Sequence, residues 1–239
     1  MKTFKQIQEE LHKLSGSKGS NPGGIFKDSD TNKEYYIKHP NVPEQAHAEV
    51  LASKIHNLMG LHTLNPEVRS INGKTSVVTE YNRNIEPLKA KHISSLSNDN
   101  HKHLGNMYAA GVLTKNWDIV GTGIEYDQGN IFKHKNSDHL ISGDTGGSFH
   151  FRAQGGHKDY GSDIAEKDSL LNPDISEGSH FFNHALAQPG VKEHVKNTLQ
   201  NLDMNKVQQA FKESGLDNYE ELHKNFVERH KKLLDSFSK

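Results

Sequence analysis

The stretch "HLISGDTGGSFHFRAQGG" (139–156) decides how the rest of the chain is read. Leu140 and Ile141 read as the end of a buried strand, which runs into Gly143, the lone acid Asp144, and then Gly146 and Gly147. A turn needs glycine, because glycine reaches backbone angles and close approaches that other residues cannot. It does not need the carboxylate. An acid left uncovered at a strand end suits a metal-bound phosphate, since hard cations such as Mg²⁺ take oxygen ligands and keep waters.

Working back from Asp144, the segment "KNWDIVGTGIEYDQGNIF" (115–132) supplies two partners. Asp118 follows the only tryptophan at the end of a helical pattern, and Asn130 opens a short apolar strand. Asp and Asn are common turn residues, so neither says much alone. Further upstream, "GSNPGG" (19–24) places Gly19, Gly23 and Gly24 between a helical pattern and a strand, with Ser20 as an added donor. Such a loop lets backbone N–H groups approach a phosphate, although it lacks the spacing of an ordinary P-loop. Lys38 ends the strand "EYYIK" (34–38) on the same face as Tyr36; a strand lysine is normally a solvated edge charge. Glu49 lies among small residues on the helical segment "EQAHAEVLASKIHNLM" (44–59), where a packed carboxylate calls for a cation, with Lys38 a candidate. The weight rests on the order: glycine loop, Lys, Glu, Asp, Asn, Asp.

The bulk numbers narrow the classes. The chain has 239 residues, 32% of them hydrophobic, with a mean hydropathy of −0.82, so the core is economical and loops are many. No apolar run is long enough for a membrane span, and the opening residues lack the continuous apolar stretch of a secretory signal. With 29 Lys and Arg against 30 Asp and Glu, the chain has none of the basic excess of a duplex-DNA binder. It has no cysteine, which fits a reducing cytosol and a cytoplasmic protein. The 17 histidines form no tight metal-ligand motif and read as mostly solvent-facing.

Periodicity predicts an opening amphipathic helix with Phe4, Ile7, Leu11 and Leu14 on one face. Two strands flank Asn72-Gly73, a strong hairpin signal. After Tyr81 the character becomes helical, through "SNDNHKHLGNMYAAGVLTKNW" (97–117) to a final amphipathic helix over 216–237. The expected fold class is α+β, with a β-rich first part carrying one central helix (1–82) and a larger, mostly helical second part (83–239).

The order of site residues resembles the protein-kinase-like superfamily. The resemblance covers roughly residues 16–155. It implies a two-lobed fold binding ATP with Mg²⁺ or Mn²⁺, in which "GSNPGG" stands for the glycine loop, Lys38 for the ATP-binding lysine and Glu49 for its helix partner. "TEY" (79–81) looks like the hinge, so Glu80 and Tyr81 are expected at the adenine. Asp118 looks like the catalytic aspartate, and Asn130 and Asp144 like the metal ligands. The motif D-T-G-G in place of D-F-G, and the absence of H-R-D, are more similar to the atypical branch of HipA-like and phosphatidylinositol-kinase-like enzymes, including bacterial effector kinases. Eleven residues separate Asp118 from Asn130, and Asp127 is the competing acid.

The implied activity is Mg-ATP-dependent transfer to a Ser/Thr hydroxyl of a protein substrate. The alternatives are a phosphoinositide or small-molecule kinase, a nucleotide-binding pseudokinase, and a non-kinase domain with a histidine-rich surface. An effector kinase would be delivered by a bacterium into a host cytosol. Arg152 could meet an anionic substrate group, although a surface salt bridge is its plainer role. The basic stretches 133–135, 194–196 and 228–232 read as a solvated face, or as a site for an anionic activator such as an inositol polyphosphate or phosphoinositide.

Overall fold

The computed structural model describes residues 11–16, 21–121 and 129–238. Five strands form an antiparallel sheet in the order β1-β2-β3-β6-β5: β1 (Leu11–Ser15), β2 (Gly23–Asp28), β3 (Glu34–Lys38), β5 (Glu67–Ile71) and β6 (Lys74–Glu80). Asn72 and Gly73 both take positive φ, 50° and 74°, which is the two-residue turn that matches strand twist, and it sets the β5–β6 register. Ile37, Ile71 and Val78 pack with Leu11, Phe26 and Tyr35 on one face of this sheet. Helix α1 (Pro43–Leu58) lies on the other, entering through a proline at its first turn, where no helical N–H partner is lost. Ala48, Leu51, Ala52 and Ile55 join it to the main core.

The predicted opening helix is not what residues 11–15 form. Leu11–Ser15 is strand β1, antiparallel to β2, and Leu14 is 50% exposed. Leu11 and Leu14 fit one helical face, but pairing with the free edge of β2 satisfies a row of backbone groups at once. Phe4 and Ile7 lie outside the described residues.

The second part is built on α2 (Asn98–Thr114), whose residues are buried almost throughout. The Ser97 side chain caps its start, and Lys115 ends it in the left-handed conformation. Around it pack α3 (Glu166–Ser169), α4 (Ser179–Leu186), α5 (Val191–Gln200) and α7 (Tyr219–Ser236), while α6 (Met204–Lys212) packs against α1 and α7. A second sheet in the order β4-β9-β8-β7 stands between the two parts. Its strands are β4 (His62–Thr63), β7 (Ile85–Pro87), β8 (Ile131–His134) and β9 (Leu140–Ser142), and β4 runs parallel to β9. That sheet matters for the site, since it carries Asn130 at one strand end and Asp144 just beyond another. Among the described residues, no helix is long and apolar enough to cross a membrane.

Candidate active site

Strand alternation puts Lys38 on the face shared with Tyr36 and with Val77 across the register, the side on which Glu49 projects from α1. The Lys38 ammonium meets Glu49 Oε1 at 2.5 Å and Asp144 Oδ1 at 3.1 Å. The side chains of Lys38 and Glu49 are 8% and 5% exposed, whereas that of Asp144 is 46% exposed. The cluster is therefore closed on the helix side and open at Asp144.

Electrostatics follow from this geometry. Burial alone would lower the Lys38 pKa, but Asp144 and Glu49 outweigh it and raise the value, so the ammonium stays charged. Burial pushes Glu49 up to about 7 against the pull of Lys38, with Asp144 adding to the rise. The two directions conflict, because a protonated Glu49 would not hold a charged Lys38. A 2.5 Å contact to an ammonium that Asp144 also holds favours the ionised pair. For Asp144, desolvation acts upward, but Lys38 and the Gly146 N–H together keep its pKa below the usual carboxylate range.

The D-T-G-G turn is held by α1 as well as by its own strand. Thr145 Oγ1 donates to the Glu49 carbonyl at 2.8 Å, and Gly146 N–H donates to Asp144 Oδ1 at 2.8 Å. A Cβ at Gly146 would stand 2.9 Å from Glu49 Oε2 and 3.0 Å from Asp144 Oδ1, so only glycine leaves both carboxylates in place. Gln45, one turn before Glu49, donates to the carbonyls of Gly146, Arg152 and Ala153. Nothing in the sequence pointed to Gln45 as the staple between helix and loop.

Asn130 is brought beside both aspartates. The Gly143 N–H donates to its carbonyl at 2.7 Å, and its own Nδ2 donates to the Asp118 carbonyl at 2.7 Å. Asp118 follows the turn that begins at Lys115, where Asn116 Oδ1 accepts its N–H at 3.0 Å. Desolvation raises the Asp118 pKa to about 6, helped by Asp144 and Glu177 and opposed by Lys158. Asp118 therefore changes charge near neutrality. Lys158, which sequence reasoning missed, donates to the carbonyls of Lys115 and Gly147 and so joins the loop of Asp118 to that of Asp144.

The remaining expected residues are placed less directly. Gly23 and Gly24 lie in β2, opposite Lys38 and Ile37. A Cβ on Gly23 would fall 2.0 Å from the Ile37 carbonyl oxygen, so close strand packing already requires glycine there. Gly19, Ser20 and Asp127 lie outside the described residues. The Tyr81 N–H donates to the Glu34 carbonyl at 2.8 Å and is thus engaged inside the sheet, while the Glu80 side chain pairs with Lys33 at 2.9 Å.

The basic stretch 228–232 is not uniformly solvated. Arg229 is 0% exposed and pairs with Glu166, also 0% exposed. It donates further to the carbonyls of Val112, Gly161 and Asp163. Glu166 Oε1 in turn accepts from Trp117 Nε1 at 3.2 Å and faces Lys115 at 3.6 Å, so this network braces the turn carrying Asp118. In the stretch 133–135, Lys133 pairs with Asp138 and Lys135 donates to the Arg83 carbonyl.

Comparison with solved structures agrees with this layout. The chain is similar to a proinflammatory kinase, CtkA, of Helicobacter pylori, with a TM-score of 0.58 over 95% of this chain and 94% of that one. The fold is two-lobed and kinase-like. Sequence identity to that kinase is 15%, so the likeness is one of fold. No family model matches the chain, and no curated protein matches it. In this kinase-like fold, Lys38, Glu49, Asp118, Asn130 and Asp144 converge where the strand-rich part meets the helical part.

Proposed function

We propose that the protein is an atypical kinase that transfers the γ-phosphate of ATP to a Ser/Thr hydroxyl of a protein, with the lobes dividing at residues 82 and 83. The observation that carries this reading is the shared ammonium of Lys38, held by a buried glutamate on one side and a half-exposed aspartate on the other. A scaffold has no use for that openness. Lys38, oriented by Glu49, would hold the nucleotide phosphates. Asp118 would orient the acceptor hydroxyl and take its proton. The oxygen donors fit a hard divalent cation: both bonds to Asp144 use Oδ1, leaving Oδ2 without a partner among the described residues, and Asn130 Oδ1 is likewise free. Mg²⁺ bound by Asp144 and Asn130 would neutralise phosphate charge. The protein's own contribution is positioning and preorganised charge. The D-T-G-G motif and the likeness to a bacterial kinase support the atypical, effector-like branch, and the cysteine-free chain suits a reducing cytosol.

The test is a transfer assay with labelled ATP and Mg²⁺ on generic protein acceptors and on phosphoinositides. Asp144→Ala is expected to lower transfer by about 10²–10³-fold, the scale for losing a main electrostatic group. Binding of Mg-ATP without transfer to any acceptor would instead support a pseudokinase. Full activity of the variant would end the kinase reading.

A further inference from the structure

We propose that Arg152, on the indole of Trp117 and backed by Lys115 and Lys158, is a subsite for a carboxylate side chain flanking the acceptor hydroxyl of a peptide. The proposal rests on the kinase reading above and names the substrate class for the same site. Trp117 immediately precedes Asp118, and its indole is 46% exposed. The ring is held at its edge by its N–H bond to Glu166. Three basic side chains surround it: Lys158 Nζ at 5.6 Å, the Arg152 guanidinium carbon at 5.8 Å and Lys115 Nζ at 6.0 Å from the ring centroid.

Basic groups here outnumber the acids. Burial lowers the Lys158 pKa to about 7 against the pull of Glu166, with Lys115, Arg152 and Arg229 adding to the fall, and Arg229 already claims Glu166. Among the described residues, no carboxylate pairs with the Arg152 guanidinium. Its main chain is nevertheless held firmly: the Arg152 N–H donates to the Gly156 carbonyl at 2.7 Å, and the Arg152 carbonyl accepts from Gln45 Nε2 at 3.1 Å and from Gly155 N–H at 2.9 Å. An arginine with a fixed backbone, an aromatic platform and no acidic partner is preorganised for an incoming anion. The subsite borders the proposed general base Asp118, because Lys158 also interacts with Asp118 and holds the Gly147 carbonyl.

The shape selects a single carboxylate on a peptide over a phosphoinositide headgroup. Only Arg152 is exposed; Lys158 is partly covered and bonded to two carbonyls, and the Lys115 side chain is 14% exposed. One reachable guanidinium forks onto one carboxylate, while the covered Lys115 adds field without contact. A polyphosphate would need several reachable cations. The indole offers an apolar face to the peptide beside the acid.

The experiment uses the full chain with Mg-ATP and three serine peptides that differ at one flanking residue, Glu, Gln or Lys, alongside phosphoinositide vesicles. The parent protein is expected to favour the Glu peptide over the Gln peptide by about tenfold in kcat/KM, through KM, the scale of one charge-assisted hydrogen bond. Arg152→Glu should invert the order, so that the Lys peptide exceeds the Glu peptide. Equal turnover of all three peptides by the parent would overturn the subsite while leaving kinase activity standing. Preferred transfer to the vesicles, lost in Arg152→Glu, would overturn the peptide assignment in favour of a lipid acceptor. No Mg-ATP binding in a thermal-shift assay, with no transfer to any acceptor, would overturn the kinase reading and the subsite together.

Discussion

Two buried ion pairs, one in each half of the molecule, look alike in composition and differ in how they are finished. Arg229 and Glu166 are both 0% exposed, and the guanidinium is ringed by the carbonyls of Val112, Gly161 and Asp163 and stacked on Tyr160. Nothing is left for a ligand to do. Lys38 and Glu49 are almost as buried, but their ammonium is shared with Asp144, whose side chain is 46% exposed. The first pair fixes helices to a turn. The second keeps one edge open to solvent, and that opening is what separates a site from a brace.

The comparison can be broken at several points. The largest effect is expected on the closed pair: Arg229→Met removes the nearest cation from buried Glu166, leaving Lys115 at 3.6 Å, and should cost about 3–5 kcal/mol in urea unfolding. Adding Glu166→Leu should recover much of that loss. A neutral single variant would mean the pair is not a brace. For the open pair the loss falls on chemistry. Lys38→Met is expected to lower transfer by about 10²–10³-fold, and combining it with Glu49→Leu should keep urea stability near the parent's while activity stays lost. Restored transfer in that double variant would erase the contrast.

A smaller effect concerns the helix that bears Glu49. His56 is 0% exposed, its Nδ1 lies 2.9 Å from Ser142 Oγ, and burial lowers its pKa from 6.5 to about 4. The unfolded chain therefore binds the proton first. Stability is full above pH 6.5 and falls as pH drops toward 4, by up to about 3 kcal/mol for this group. In His56→Gln the fall should be shallower over the same range, measured by thermal unfolding. The smallest effect is on the pH profile of transfer. Asp118 must be ionised to act as a base, so kcat/KM should fall as pH drops through about 6. Glu177 helps raise that pKa, so Glu177→Gln should move the limb to lower pH; a limb that stays in place would remove Asp118 from the role.

Much of the candidate site was legible because its parts fall at recognisable ends of elements. Lys38 closes a strand with a two-residue period, Glu49 sits on a helix with a clear apolar run, and Asp144 ends "LIS" before glycine. Arg229 was less legible, since "ERHKK" reads as a solvated run. A signal was present: positions 222, 226, 229 and 233 lie on one helical stripe, and the other three are Leu, Phe and Leu. Gln45 and Lys158 carried no such signal, for their roles are bonds to the main chain of distant loops. The opening segment misled because Leu11 and Leu14 suit a helix face until the edge of β2 is there to pair with.

By itself, then, the sequence determined the kinds of element beyond the opening segment, the hairpin at Asn72-Gly73 and the chemical character of each polar site residue. These depend on short-range periodicity and on side-chain chemistry, and the opening segment shows that a neighbouring strand edge can override the first. Only the tertiary structure decided which charges meet and how each meeting is closed. Lys38 has Asp144 beside it because β9 pairs with β4 and β8 between the two parts of the chain. Arg152 lies exposed over the Trp117 ring, while Glu166 pairs with Arg229 and accepts from the Trp117 N–H. A charge can be read from one residue, but its exposure and its partner are set by long-range packing, and those two properties separate a brace from a site.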